Sequence, residues 1–336
     1  MKKVAVVINS GIGNALLQVP LIKHLINEGT QVDGIFTSLA PYQNLFDSLN
    51  VFSSTKTIDL LELASSSISI SKKYDAAYLD FFASTNKLIL YGLNIAKKVN
   101  VRKQPNKLPK SDRIIYHPIV EGLHEISQNM RFIDSHFYDN QINESLVTLG
   151  SVSTKEKTIT IQLSSANNAV TYKNWPINKW IELIQVIQEE YPALSIVLLG
   201  DKNEIDAAKE VEKRRFKNLQ NLVGKTDLTQ VSGILSRSKI YVGGDSGLMH
   251  LAAFFNTPTF TIWGASDYRL YGYAHLISEK HKMVSNKIDC WPCNRYYNPN
   301  KSRYTKPTDC IDNACIREIT TQEVSDKLIP FIKSAC

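Results

Sequence analysis

The stretch YVGGDSGLMHLAAFFNTPTFTIW, Tyr241 to Trp263, decides the fold. An apolar strand-like run, Lys239 to Val242, ends in Gly243-Gly244-Asp245, and a short helix begins at Ser246. Thr259 to Trp263 then returns to β-branched and aromatic residues. Strand, tight turn, helix and strand in such close succession form the repeating unit of a parallel sheet covered by helices. A helix that opens directly from a strand end aims its unsatisfied amides and its positive dipole end at the carboxyl edge of the sheet, a place that suits an anion. Ser246 and His250, four apart, share a helix face near that end, and both can donate to phosphate. The plainer alternative is that Asp245 or Ser246 only caps the helix and His250 is packed polar filler.

The same alternation extends in both directions. Upstream lie strand Thr158 to Leu163, helix Ile177 to Glu190, strand Ser195 to Leu199, helix Asn203 to Lys213, strand Asn221 to Val223 and helix Leu228 to Ser236. The first half reads as α/β too, with strands Val4 to Ile8, Val32 to Phe36, Ala76 to Leu79 and Ile114 to Tyr116. Its helices are Ala15 to Ile26, Lys87 to Ala96 and Leu123 to Phe132. The polar run Asn140 to Lys157 is the linker candidate. We therefore expect an α/β protein of two doubly wound domains, residues 1–150 and 151–336, with an interdomain cleft and a last helix, Thr321 to Lys333, that packs back on the first domain.

A chain of 336 residues, 43% hydrophobic and 21% charged, suits two such cores. No apolar run approaches the roughly 20 residues that cross a bilayer. The start, Met1-Lys2-Lys3 followed by Val4 to Ile8, is too short in its apolar part for a secretory signal and is interrupted by Asn9-Ser10-Gly11, which points to the cytoplasm. In that compartment five cysteines are thiols or metal ligands sooner than disulfides. A net charge of +7 favours an anionic partner. Aromatic residues do not interleave with the basic ones, which argues against nucleic acid.

Three further strand ends carry polar groups. Ser164-Ser165 precede Lys173-Asn174-Trp175-Pro176, where Lys173 can neutralise a departing phosphate. This matters because no Asp-x-Asp pair is present to hold a catalytic divalent ion. The alternative for Lys173 is a solvated loop lysine. Glu204, near the start of its helix, can accept from ribose hydroxyls or merely complement the helix dipole. In the first half, Ser10-Gly11-Ile12-Gly13-Asn14 lacks the third glycine of G-x-G-x-x-G, so it reads either as a close backbone approach to a ligand, its glycines tolerating positive φ, or as a plain turn. Cys290, Cys293, Cys310 and Cys315 form a C-x2-C…C-x4-C set suited to structural zinc or iron, or else stay reduced thiols or pair as disulfides.

Taken together, these residues resemble glycosyltransferase family 9, the ADP-heptose:lipopolysaccharide heptosyltransferases. The resemblance is strongest in Gly243 to Ala253 and in Gly264-Ala265-Ser266-Asp267. It is supported by Ser164 to Pro176, Leu198 to Glu204, Asn221 to Leu228 and His124 to Asn129. It implies the GT-B architecture, inversion at the anomeric carbon without a catalytic metal, and a nucleotide-sugar donor resembling ADP-heptose. It further implies that Ser164, Ser165, Lys173, Ser246, Gly247 and His250 surround the donor phosphates, that Asp245 touches the sugar and that Gly13 belongs to the donor-binding residues. Glu204 would hold the ribose, with Thr226 and Leu248 near the base. The acceptor would be an anionic glycolipid or glycan, with peripheral contact at the inner membrane. The family's general-base aspartate corresponds to Asn14, and a carboxamide cannot take a proton, so either Asp80, His117 or His124 serves or the chain is slow or differently specialised, with a silent nucleotide-sugar-binding subunit as the rival reading. The same residues also suit a GT-B enzyme using a UDP- or GDP-sugar, or an autotransporter heptosyltransferase with a four-cysteine iron finger.

Overall fold

The computed structural model describes residues 1–59, 72–102, 111–150, 155–164, 173–277, 279–289, 291–292 and 313–335. The chain divides into two compact units, Met1–Val147 and Thr148–Cys336.

In the first unit the strands are β1 (Lys3–Ile8), β2 (Gln31–Thr37), β3 (Ser54–Ile58), β4 (Tyr74–Leu79), β5 (Ala96–Val101) and β6 (Ile114–Tyr116). They form one sheet in the order β3-β2-β1-β4-β5-β6, every neighbouring pair parallel. The second unit holds β7 (Thr158–Gln162), β8 (Ser195–Leu199), β9 (Leu219–Asn221), β10 (Ile240–Gly244), β11 (Thr259–Trp263) and β12 (His281–Ser285), again all parallel, in the order β12-β11-β10-β7-β8-β9. Counted from its own first strand, the first sheet has the dinucleotide-fold order 3-2-1-4-5-6, and the second runs 6-5-4-1-2-3, which is the same order from the opposite edge. The doubly wound α/β expectation holds for both halves. Each sheet therefore reverses its winding once, between β1 and β4 and between β7 and β10. Loops leaving the carboxyl ends of those pairs diverge to opposite faces and leave a crevice.

The packing follows from sequence. The central strands are apolar on both faces because helices cover both: Val4 to Ile8 are completely buried. In the second unit Ile159, Ile161, Leu198, Val242 and Phe260 meet Trp180, Leu183 and Ile187 of the helix Ile177–Glu190. The last helix, Thr321–Ala335, adds Leu328, Phe331 and Ile332 to this core.

Three strands carry no clear apolar signal in the sequence. β3 and β12 are edge strands and β5 opens on the exposed Lys97 and Lys98, so the hydrophobic periodicity that marks a buried strand is weak in each. The expected helix Ala15 to Ile26 is two helices, Ile12–Leu16 and Val19–Asn27. Pro20 sits in the first turn of the second, where its missing N–H costs nothing, and so it starts a helix instead of extending one.

Candidate functional site

The crevice position of the second unit brings together residues from two strand ends. β10 runs to Gly244, Asp245 follows, and Ser246 caps the eight-residue helix Gly247–Phe254, its hydroxyl accepting from the Met249 amide at 3.4 Å. The first amides of that helix point at the carboxyl edge of the sheet, as the spacing predicts. Gly243 is required by packing: a methyl group there would run into the Tyr241 hydroxyl. Leu248 is buried in the first turn of the same helix.

Across from β10, Lys173 forms an ion pair with Asp245 at 2.5 Å, with both side chains largely buried. Lys173 is thus not a solvated loop lysine. Burial works to raise the Asp245 carboxyl, but the Lys173 ammonium and hydrogen bonds from Lys173 and Ser266 outweigh it and hold the group below the usual carboxylate range. His250 is buried and its Nδ1 lies 2.8 Å from the Tyr273 hydroxyl. Burial pushes its imidazole down to about 4, so it is a neutral ring at pH 7. The cluster therefore offers one ammonium, one carboxylate, one neutral imidazole and a helix start in a small volume.

Glu204 sits just beyond the end of β8 with 1% exposure. Its carboxylate accepts from Gln162 Nε2 at 2.9 Å, from the Ser164 amide at 3.0 Å and from the Asp201 amide at 3.3 Å. Gly200 makes room for it, since a Cβ there would approach the Glu204 carboxyl carbon to 2.6 Å. Burial pushes this carboxyl up to about 7 against the three donors. Thr226, in the loop after β9, keeps a buried hydroxyl that has no partner among the described residues. Asp267 caps the helix Tyr268–Tyr271 and is held by Arg269 through Nε and Nη2.

Gln162 is the residue that sequence reasoning passed over. It ends β7 fully buried, and its Oε1 accepts from the Ser246 hydroxyl at 2.6 Å and the Tyr241 hydroxyl at 2.9 Å. The signal was present as a carboxamide closing the otherwise apolar Thr158 to Leu163.

In the first unit the corresponding position holds the turn after β1. Gly13 and Asn14 lie in the five-residue helix Ile12–Leu16 after β1, and the Asn14 side chain makes no hydrogen bond among the described residues. The positive-φ expectation for this loop does not hold: Gly11 has φ of −61°, and the positive-φ glycines are Gly29, Gly122 and Gly224. Nor does packing require a glycine at Gly11, because a Cβ there would meet nothing within 4 Å. Asp80, at the end of β4, is 1% exposed and accepts from Gln18 Nε2 at 2.9 Å and the Ala83 amide at 2.8 Å. Burial pushes it up to about 7. His117 is half-buried against Asn100 Oδ1 at 3.0 Å. His124 is fully buried, and its Nδ1 accepts the Ile126 amide as a helix cap. Beside it, Arg102 is clamped by Glu125 at 2.6 and 3.2 Å and by Asn129 at 2.7 Å, and Asn129 in turn donates to the Leu17 carbonyl.

Ser165, Cys290, Cys293 and Cys310 lie outside the described residues; Cys315 is buried in the helix Ala314–Arg317. Among the described residues no three His, Cys, Asp or Glu side chains converge to hold an ion, and no helix is long and apolar enough to cross a membrane.

Two doubly wound Rossmann-like units, with charged and polar side chains gathered beyond the carboxyl ends of the strands, define the GT-B class. The glycosyltransferase family 9 (heptosyltransferase) profile matches residues 97–303, and the chain belongs to that family. Lipopolysaccharide heptosyltransferase 2 of Escherichia coli K12 is 38% identical over 102 residues, a match that covers 28% of each protein. The matched region therefore spans under a third of that curated relative. Over nearly the whole chain the fold is similar to that of a family 9 glycosyltransferase from Veillonella parvula, with a TM-score of 0.74, 13% identity and coverage of 99% of this chain and 98% of the other. It is similar also to E. coli heptosyltransferase WaaC with ADP-2-deoxy-2-fluoro heptose, with a TM-score of 0.68, 17% identity and coverage of 98% and 99%.

Proposed function

We propose that this chain is an inverting glycosyltransferase that needs no catalytic metal and moves a sugar, heptose from ADP-heptose, onto a hydroxyl of a lipopolysaccharide core or another anionic surface glycan. The observation that carries the reading is the Lys173–Asp245 pair set beside the start of the Gly247–Phe254 helix. In the reaction the acceptor oxygen attacks the anomeric carbon as the bond to the diphosphate breaks, and the negative charge that grows on the leaving phosphate falls to Lys173 and the amides of Gly247 and Leu248. Ser164, Ser246 and the neutral His250 line the phosphates, Asp245 touches the sugar, the enclosed Glu204 stands on the ribose side, and Thr226 and Leu248 border the base. Membership of family 9 supports ADP and heptose as the donor halves. The first unit takes the acceptor, and the net charge of +7 suits phosphorylated lipid at the cytoplasmic face of the inner membrane.

Asn14 favours a second reading, a nucleotide-sugar-binding subunit without turnover, because the proton of the acceptor hydroxyl must go to a group other than that carboxamide. Asp80 and His124 are enclosed, which leaves the half-buried His117 as the most accessible of the three candidate bases. The two readings part in one assay: purified protein is incubated with ADP-heptose and truncated lipopolysaccharide, and ADP release is followed. Acceptor-dependent release supports the transferase, whereas tight ADP-heptose binding without release supports the silent subunit.

A further inference from the structure

The hydrogen bonds from Glu204 through Gln162 to Ser246 have a direction, and the charge on Glu204 sets it. Ionised, the carboxylate only accepts, so Gln162 turns Nε2 toward it at 2.9 Å. Gln162 Oε1 then faces the other way and takes the hydroxyls of Ser246 at 2.6 Å and Tyr241 at 2.9 Å. A serine has one hydroxyl proton. With that proton committed inward, Ser246 presents only lone pairs to the space before the helix start, and a lone pair facing a phosphate oxygen repels it.

We propose that Gln162 is a positioning residue that couples proton uptake at Glu204 to anion binding at the start of the Gly247–Phe254 helix. Once protonated, Glu204 donates to Gln162 Oε1 and the carboxamide turns over. Its Nε2 protons then meet the Ser246 and Tyr241 oxygens, and the Ser246 hydroxyl proton is released to a phosphate oxygen. One proton is taken from solvent and forms the Glu204 O–H bond, the Tyr241 hydroxyl turns its proton from Gln162 to the Ser246 Oγ 3.1 Å away, and no other bond changes. The inference rests on the reading of this helix start as the donor diphosphate site.

The surroundings support the coupling. Gln162 and Glu204 are 2% and 1% exposed, so water does not substitute for either partner. Burial places the Glu204 carboxyl at about 7, where both protonation states are populated near neutrality. Among the described residues the charged and titratable groups around it are Asp201 on its own turn, Tyr241 of β10, Asp245 just after it, Lys173 paired to Asp245, and His250. Of these, Tyr241 is raised by burial, Asp245 is held low, and His250 lies at about 4.

The test is calorimetric titration with whichever of ADP-, UDP- or GDP-glucose binds, since their diphosphates are diesters that stay ionised throughout pH 6 to 9. In buffers of different ionisation enthalpy, binding to the wild type is expected to take up close to one proton at pH 8. The affinity is expected to weaken by up to about tenfold per pH unit above about 7. Glu204→Gln, whose amide imitates the protonated acid, binds with a flat pH profile, and Gln162→Leu binds without proton uptake. Binding by the wild type with no proton uptake overturns the coupling and leaves the site reading in place. An unchanged pH profile in Glu204→Gln overturns it as well. If none of the three sugar nucleotides binds at any pH, the site reading fails and the inference falls with it.

Discussion

The two sheets share one strand order, and each carries a buried carboxyl pushed up to about 7 beyond the carboxyl end of a strand, Asp80 in the first unit and Glu204 in the second. The neighbours of the two groups differ. Asp80 is tied to Gln18 and the Ala83 amide, and close by Arg102, Glu125 and Asn129 tie the sheet end to the Leu17 carbonyl. These bonds close inward and brace the turn that holds Gly13 and Asn14. Glu204 is tied through Gln162 to Ser246, at the mouth of an eight-residue helix beside the Lys173–Asp245 pair. Topology places both crevices alike, and the side chains at the strand ends make one a brace and the other the anion site proposed above.

The largest expected effect breaks the brace. Arg102→Leu leaves Glu125 buried without its cation, and equilibrium denaturation should show a loss of about 3–5 kcal/mol. A loss within experimental error would mean that the network carries no weight. Next comes the Lys173–Asp245 pair: Lys173→Ala should lower turnover by about 10² to 10³, the range for removing one group that stabilises developing charge, with a loss of stability smaller than that of Arg102→Leu, because the Asp245 left without its cation keeps more exposure than Glu125. If donor affinity and turnover both stayed at wild-type values, Lys173 would have no part in leaving-group departure.

A smaller effect separates the two carboxyls by pH. Asp80 has a folded pKa near 7 against an ordinary value of about 3.9, so the folded state binds more protons between those values. Its contribution to stability is fully present below about pH 4 and is lost as pH rises through about 7. Asp80→Asn should therefore flatten the fall of stability across this window by about 1 kcal/mol per pH unit, and the share due to Glu204, which has the same sign, should remain. An identical slope in the variant would show that Asp80 does not titrate there.

Much of this contrast was legible in the sequence of the second unit and little in that of the first. Tyr241 to Trp263 shows its strand, turn and helix because strand and helix are both buried, so each carries an apolar run of its own length. Lys173, Ser246 and His250 stand out because a glycine-rich turn or a Trp-Pro pair frames them. Gln162 did not, since a single polar residue at a strand end looks the same whether it meets solvent or a buried carboxylate. β3, β5 and β12 escaped notice because edge position or exposed lysines dilute the period-2 signal. The brace was visible only as His124 to Asn129, whose partner Arg102 lies 23 residues away from Glu125, and no local pattern announces such a pairing.

The most direct measurement is thermal unfolding of the purified chain with ADP, UDP and GDP. If the second crevice is an ADP-sugar site, ADP at about 100 times its Kd stabilises the protein by about 2.7 kcal/mol, and Tm rises more than with equal UDP or GDP. Lys173→Ala reduces that rise. A Tm unmoved by ADP, or raised further by UDP or GDP, would contradict the assignment of this crevice to an ADP-sugar.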